Sequence, residues 1–253
     1  MIADSIVSQA WRVAAFIDRR LIALCLALIS IDLFFVAVHA AHTIYASIYF
    51  DRVPVLGWMW HIGYDRSYLE IFGYLKMMVI IGLLIAMLRR DRPVYLALAI
   101  IFVFALLDDS LEIHETLGAR IADGLALRPF AGLRPVDFGE LLFWASAGVV
   151  LLSVAAFGVA RTAGRDRANG LLLLGALAVL MVCAVGVDMA HVVVDNLFRG
   201  ADLLFTVIEE GGQQITLSLT CGLAILIRRE VRSRDADAWS KANASRPPVP
   251  ERP

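Results

Sequence analysis

The sequence predicts an all-α integral membrane protein, a bundle of six transmembrane helices with both termini cytoplasmic. Three observations predict it. Hydrophobic residues make up 60% of the chain and charged residues 19%, with a mean hydropathy of +0.74. A soluble domain of 253 residues cannot hide that much apolar surface, whereas a bundle in lipid displays it. Six stretches reach the roughly 20 apolar residues that a span requires. The arginines and lysines then divide unevenly between the two sides that those spans define.

Taken in order, the spans are 21–44, 67–88, 93–117, 138–160, 169–197 and 202–227. Arg12, Arg19 and Arg20 precede the first, which is long enough to stay in the bilayer as an anchor rather than be cleaved as a signal peptide. Residues 45–66 form a loop with Tyr49, Phe50, Trp58, Trp60 and Tyr64, the composition that settles at a membrane–water interface. Residues 118–137, with Gly118, Gly124, Pro129, Gly132 and Pro135, read as a second irregular loop. The link at Arg199-Gly200 is short, so the fifth and sixth helices are antiparallel neighbours. The chain divides into a six-helix transmembrane domain, 1–232, and a polar, proline-rich tail, 233–253, expected to be a disordered cytoplasmic segment.

Sixteen basic residues fall on the side of the termini and six on the other, Lys76 lying within a span. The positive-inside rule makes the first side cytoplasmic and points to an inner (cytoplasmic) membrane. Cys25, Cys183 and Cys221 lie scattered in apolar runs, which argues against a disulfide framework or a CxxC motif. HExxH, Walker, GxGxxG and GxSxG patterns are absent, which removes the metalloprotease, nucleotide and hydrolase-elbow readings. No nucleic-acid partner is expected.

Function concentrates in ALLDDSLEIHET, residues 105–116. An ionised side chain in the hydrocarbon region costs several kcal/mol, so each one marks a functional hypothesis. At 100° per residue Asp108, Glu112 and Glu115 fall within about 60° of one another on one face, while Asp109 and His114 point elsewhere. His114 joins that face only through a distorted turn. With the orientation fixed, these acids share the outer third of the bundle with others. Asp188, His191 and Asp195 form an i, i+3, i+7 stripe. Glu209, Glu210, Gln213 and Gln214 follow at the start of the last span, and Glu70, Glu140, His39 and His42 lie at span ends. The inner halves are expected to be nearly free of ionisable groups; Lys76 is an isolated intramembrane base that snorkels or pairs with an acid.

Asp188-x-x-His191 matches one half of the carboxylate–histidine pattern by which helical bundles hold metal. Carboxylates with one or two histidines suit iron or manganese better than structural zinc, although zinc remains compatible. The expected metal ligands are Asp108, Glu112, Glu115, Asp188, His191 and Glu209, with Asp195 and Glu210 as base or supporting groups. The chemistry would be metal-assisted oxidation or hydrolysis of a lipid-like substrate, with membrane lipid as partner. Three alternatives stand beside it: a proton- or cation-coupled transporter, a non-catalytic metal- or pH-sensing subunit, and a structural hydrogen-bond network.

LLDDSLEIHETLG and the later IEEGGQQ together resemble a group of polytopic bacterial membrane proteins without an assigned activity. These carry an Asp-acid-x4-His-Glu motif in a central helix and a Glu-Glu pair in the last. The resemblance rests on Asp108, Asp109, His114, Glu115, Glu209 and Glu210, and implies architecture. It also adds His114 to the candidate site.

Overall fold

A computed structural model describes residues 2–49, 57–130, 133–195 and 202–244, apart from the side chains of Ile2, Ala3, Val193 and Asp195. Among these residues the chain is helical, with one isolated bridge between Phe130 and Leu133. The helices are α1 (Ile2–Ala14), α2 (Arg19–Ile48), α3 (Tyr68–Ile85), α4 (Pro93–Leu111), α5 (Ile113–Gly124), α6 (Pro135–Arg161), α7 (Gly164–Met181), α8 (Asp188–Asp195) and α9 (Asp202–Ala244). A 3-10 turn, Trp58–Trp60, precedes α3, and a π-helical segment, Val182–Val187, joins α7 to α8.

Five helices among the described residues are long and apolar enough to cross a membrane: α2, α3, α4, α6 and the run Gly164–Val192. Their starts follow local rules. Asp18 caps α2 by accepting from the Leu21 amide at 2.8 Å, and Ser67 caps α3 through the Glu70 amide at 3.3 Å. Pro93 and Pro135 open α4 and α6, where a missing amide hydrogen costs nothing. Large apolar side chains such as Leu26, Val149, Leu152 and Phe157 stay exposed on these helices, as a surface solvated by acyl chains requires.

The core forms where α3, α4, α7 and α9 meet. Ile80 and Leu84, then Tyr95, Leu98 and Phe102, then Leu217, Cys221, Ala224 and Ile227 recur at helical spacing and are buried against one another and Leu173. Glycines set the closest approaches. A Cβ on Gly139 would lie 1.9 Å from the Gly118 carbonyl oxygen, and one on Gly170 would lie 2.2 Å from Val94. Such backbone contact between helices is how apolar segments gain dispersion energy without a hydrophobic driving force.

The structure departs from the sequence reading in five places. Residues 93–117 do not form one helix: the chain breaks at Glu112, whose φ of 53° is left-handed. The loop expected at 118–137 is helical as far as Gly124. The expected span 169–197 contains the π segment. The tail boundary at 232 is overrun, because α9 continues to Ala244 and Asp235 on its extension binds Arg92 at 2.5 Å. Finally, the half of the bundle away from the acid-rich stretch is not empty of charge. The Arg199-Gly200 link lies outside the described residues, as do residues 245–253 of the tail. The sixth expected span, 202–227, lies in α9. That helix is not among the five, its first turns being interrupted by Glu209, Glu210, Gln213 and Gln214.

Two buried polar clusters account for that charge. Lys76 on α3 donates to Asp32 Oδ1 and the Gln214 carbonyl, both at 2.8 Å, and to Ser218 at 3.3 Å. Ser218 in turn donates to Asp32 Oδ2 at 2.6 Å, and the Lys76 and Asp32 side chains are 2% and 0% exposed. At the bundle end where α4 begins, Asp166 receives Arg92 at 3.2 Å, Arg234 at 2.6 Å and the Tyr95 hydroxyl at 2.9 Å. Glu230 receives Arg234 at 2.8 Å and Asn169 at 3.2 Å, and Gln9 of α1 donates to Asn169 at 2.9 Å. Every carboxylate in that network has a cation beside it.

Candidate functional site

At the opposite end, α3 begins, α4 ends, α6 begins and α9 begins around a cavity of about 350 Å³. Among the described residues nine carboxylates line it: Asp65, Glu70, Asp108, Asp109, Glu115, Glu140, Asp188, Glu209 and Glu210. Only His114 and Arg134 among the described lining residues carry basic groups. Arg134 is already committed, since its guanidinium donates to Asp137 at 2.7 Å and its Nε at 3.0 Å. Those bonds, opposed by partial burial, raise its pKa above the usual value.

The break at Glu112 turns His114 back toward α4. His114 Nδ1 meets Asp108 Oδ2 at 3.0 Å, although a continuous helix would hold the two on different faces. Asp108 is 2% exposed, and its other oxygen, Oδ1, is buried with no hydrogen-bond partner. The left-handed conformation of a residue with a Cβ costs on the order of 1–2 kcal/mol. Arg66, itself at φ 59°, binds the Glu112 carboxylate at 2.7 Å and holds the turn. Trp144 of α6 lies over the His114 ring, centroids 5.8 Å apart.

The glycine contact between α5 and α6 sets the next part. A Cβ on Gly118 would meet Glu140 Cγ at 2.6 Å and its backbone nitrogen at 2.8 Å, so Glu140 enters the cavity beside His114 because both glycines lack side chains. Glu70 is partly satisfied: Tyr74 donates to it at 2.6 Å, and the Arg66 amide also donates to it. From the far wall, Asp188 follows the π segment directly and faces the same space as Glu209 and Glu210. A Cβ on Gly212 would lie 3.0 Å from Cys183 Sγ, so the π segment packs against α9 at a glycine.

The structure brings six expected site residues to this cavity: Asp108, His114, Glu115, Asp188, Glu209 and Glu210. His191 is not in the lining. Its Nδ1 stands 3.5 Å from Glu209 Oε2 and its Nε2 3.3 Å from Asp202, while its ring stacks on Phe205 at 5.5 Å. Glu112 is also outside the lining and faces Arg66. At the rim, however, oxygens of Glu112, Glu115 and Asp65 all lie within 4.8 Å of one another, close enough for one cation to span them. The side chain of Asp195 lies outside the described residues. Asp65, Asp109, Glu70 and Arg134 join the cavity without having been singled out as ligands. Asp65 lies in the aromatic loop, where an acid at an interface raises no signal in sequence.

Chemically, the site is a set of oxygen donors with one imidazole among the described residues, most of them half-buried in an open cavity. Residues 21–227 match the family described as a domain of unknown function (DUF8692), and the chain belongs to it. No curated protein and no solved structure matches the chain.

Proposed function

We propose that this member of the family is a six-span protein of the bacterial inner membrane, with cytoplasmic termini. Its cavity faces outward and binds divalent metal, iron or manganese by preference, to oxidise or hydrolyse a lipid-like substrate. The observation that carries the metal reading is the unpartnered Oδ1 of Asp108, an acceptor in a cavity where, among the described residues, nine carboxylates share one imidazole that is itself bonded to Asp108 Oδ2. Carboxylates gathered in low dielectric must take up protons, pair with bases or bind cations, and the only arginine among the described lining residues is bonded to Asp137. Oxygen-rich donor sets prefer hard cations.

In this reading α9 supplies the sixth span, its polar first turns tolerated because they face the cavity rather than lipid. Asp108, His114, Glu115, Asp188 and Glu209 hold metal, and Glu112 joins Asp65 and Glu115 at the rim. His191 fixes Glu209 from behind, the supporting position that orients a ligating carboxylate. Glu210 serves as base, with Asp195 as a supporting group. Bound metal would supply Lewis-acid or redox character at the cavity wall. The basic asymmetry, sixteen residues against six, supports the orientation.

Metal analysis by mass spectrometry on protein purified without chelator tests the reading. About one or two divalent ions per chain are expected, falling in Asp108→Asn. A second reading, proton- or cation-coupled transport, is favoured by one contact and two discontinuities. The carbonyl of Gln214, whose side chain lines the cavity, accepts from Lys76, and the breaks at Glu112 and Val182–Val187 flank the same cavity. Wild-type protein free of metal, with a melting temperature unmoved by iron or manganese, would leave the transport reading standing.

A further inference from the structure

A second cavity, of about 300 Å³, lies between the end of α2 and the 3-10 turn. It is lined by His39, His42 and His61 together with Trp58, Trp60 and Tyr64. Tyr64 also lines the carboxylate cavity, so the two spaces share a wall. His39 and His42 are three residues apart and so share one face of α2, while His61 follows the 3-10 turn and brings its ring to 4.2 Å from that of His39.

The three imidazoles are chemically unsatisfied. His39 Nδ1, His42 Nε2 and His61 Nδ1 are each buried without a hydrogen-bond partner, and His39 is 3% exposed. A single orphaned ring nitrogen is a rarity in a native fold; three around one cavity call for a common partner. Packing alone does not explain them, since a phenylalanine would fill the same space without stranding a polar atom. The partner must engage ring nitrogens from two separate elements at once.

We infer that His39, His42 and His61 form a three-histidine site for a borderline transition metal, zinc or copper, distinct from the carboxylate cavity. An all-imidazole set selects these ions, whereas the acids across the Tyr64 wall select harder ones. His39 and His61 now meet edge to face, at an interplanar angle of 77°. Their nitrogens converge on an ion only after a side-chain rotation, which His61, now stacked on Tyr64 at 4.6 Å, makes by leaving that ring. Three histidines leave a fourth position open, as in catalytic zinc sites.

The test uses the full-length protein in lipid nanodiscs, stripped with chelator, reloaded with zinc chloride and desalted. Wild-type protein is expected to retain about one zinc per chain more than His61→Ala, with the same loss in His39→Ala. Asp108→Asn should keep that zinc, and the X-ray absorption spectrum of the bound ion should show imidazole ligands that disappear in His61→Ala. His61 lies outside the apolar spans, so its variant keeps the question answerable if His39→Ala fails to fold. Equal zinc in wild type, His61→Ala and His42→Ala would overturn the inference. Zinc lost in Asp108→Asn but retained in the histidine variants would overturn it too, while leaving the proposed carboxylate site intact.

Discussion

The two ends of this bundle handle buried charge in opposite ways. Around α4's first turn, Asp166 and Glu230 are buried, yet Arg92, Arg165 and Arg234 stand at 2.6–3.6 Å from them and Arg92 continues to Asp235. Around α4's last turn, nine acids share one cavity with a histidine and an arginine already bonded elsewhere. Both ends pay for desolvation, but only one recovers it within the chain. The paired end has the chemistry of a structural fastener. The unpaired end has no such set of partners among its described residues.

That contrast breaks first, and by the largest amount, at Asp166. Asp166→Ala removes the carboxylate shared by Arg92, Arg234 and the Tyr95 hydroxyl, leaving Arg92 to Asp235 and Arg234 to Glu230, and should cost about 3 kcal/mol, read as a steep fall in melting temperature in detergent. Lys76→Met should cost a similar amount on its own by leaving Asp32 uncompensated. Combined with Asp32→Leu it should recover most of the loss, and a double-mutant cycle measures the coupling. Equal losses in the single and double variants would show that the pair is not a unit.

At the unpaired end the sign should reverse. Glu209→Gln with Glu210→Gln removes repulsion, so metal-free protein should melt about 1 kcal/mol more stably or unchanged. The same variant should lose the stabilisation that added manganese or iron gives the wild type. Glu112→Gly is expected to gain about 1 kcal/mol from relief of the left-handed backbone, less whatever the Arg66 contact contributes; thermal melting decides. The smallest effect is a pH slope. Arg92 bonded to Asp235 holds that carboxyl below its usual 3.8, so its contribution is present above that value and lost as pH falls through the lowered one. Acid titration of stability should therefore flatten in Asp235→Asn.

Much of this was legible in the sequence, for a physical reason. Hydropathy reports burial in lipid residue by residue, so the helices that bracket the apolar core stand out without any structure. Intramembrane acids stand out equally, and Asp108, Asp188, Glu209 and Glu210 are found because charge in an apolar run is costly. What escaped depends on one backbone dihedral or one extra residue. The sequence showed that His114 needs a distorted turn to reach the acidic face but not where it lies: the φ of 53° at Glu112 supplies it and brings His114 to Asp108, and glutamate is a poor choice for a left-handed turn. Asp32 with Lys76 escaped because pairing between α2 and α3 is a matter of tertiary register. The arginine end was read only as topology, although the same residues turn out to neutralise Asp166 and Glu230.

The π segment carries a consequence that concerns chain length rather than residue identity. Hydrogen bonds running i to i+5 accommodate one residue more than an α-helical turn over the same stretch. Each π residue turns the chain by less than the roughly 100° of an α-helical residue, so the segment absorbs about one residue's rotation. A chain one residue shorter between Val182 and Val187 would run from α7 into α8 as ordinary α-helix and still present Asp188 to the cavity. The same residues wound as unbroken α-helix would instead turn Asp188 by about 100° about the axis, off the cavity wall with no side chain altered. The π winding of VCAVGV ahead of the aspartate is itself part of the site.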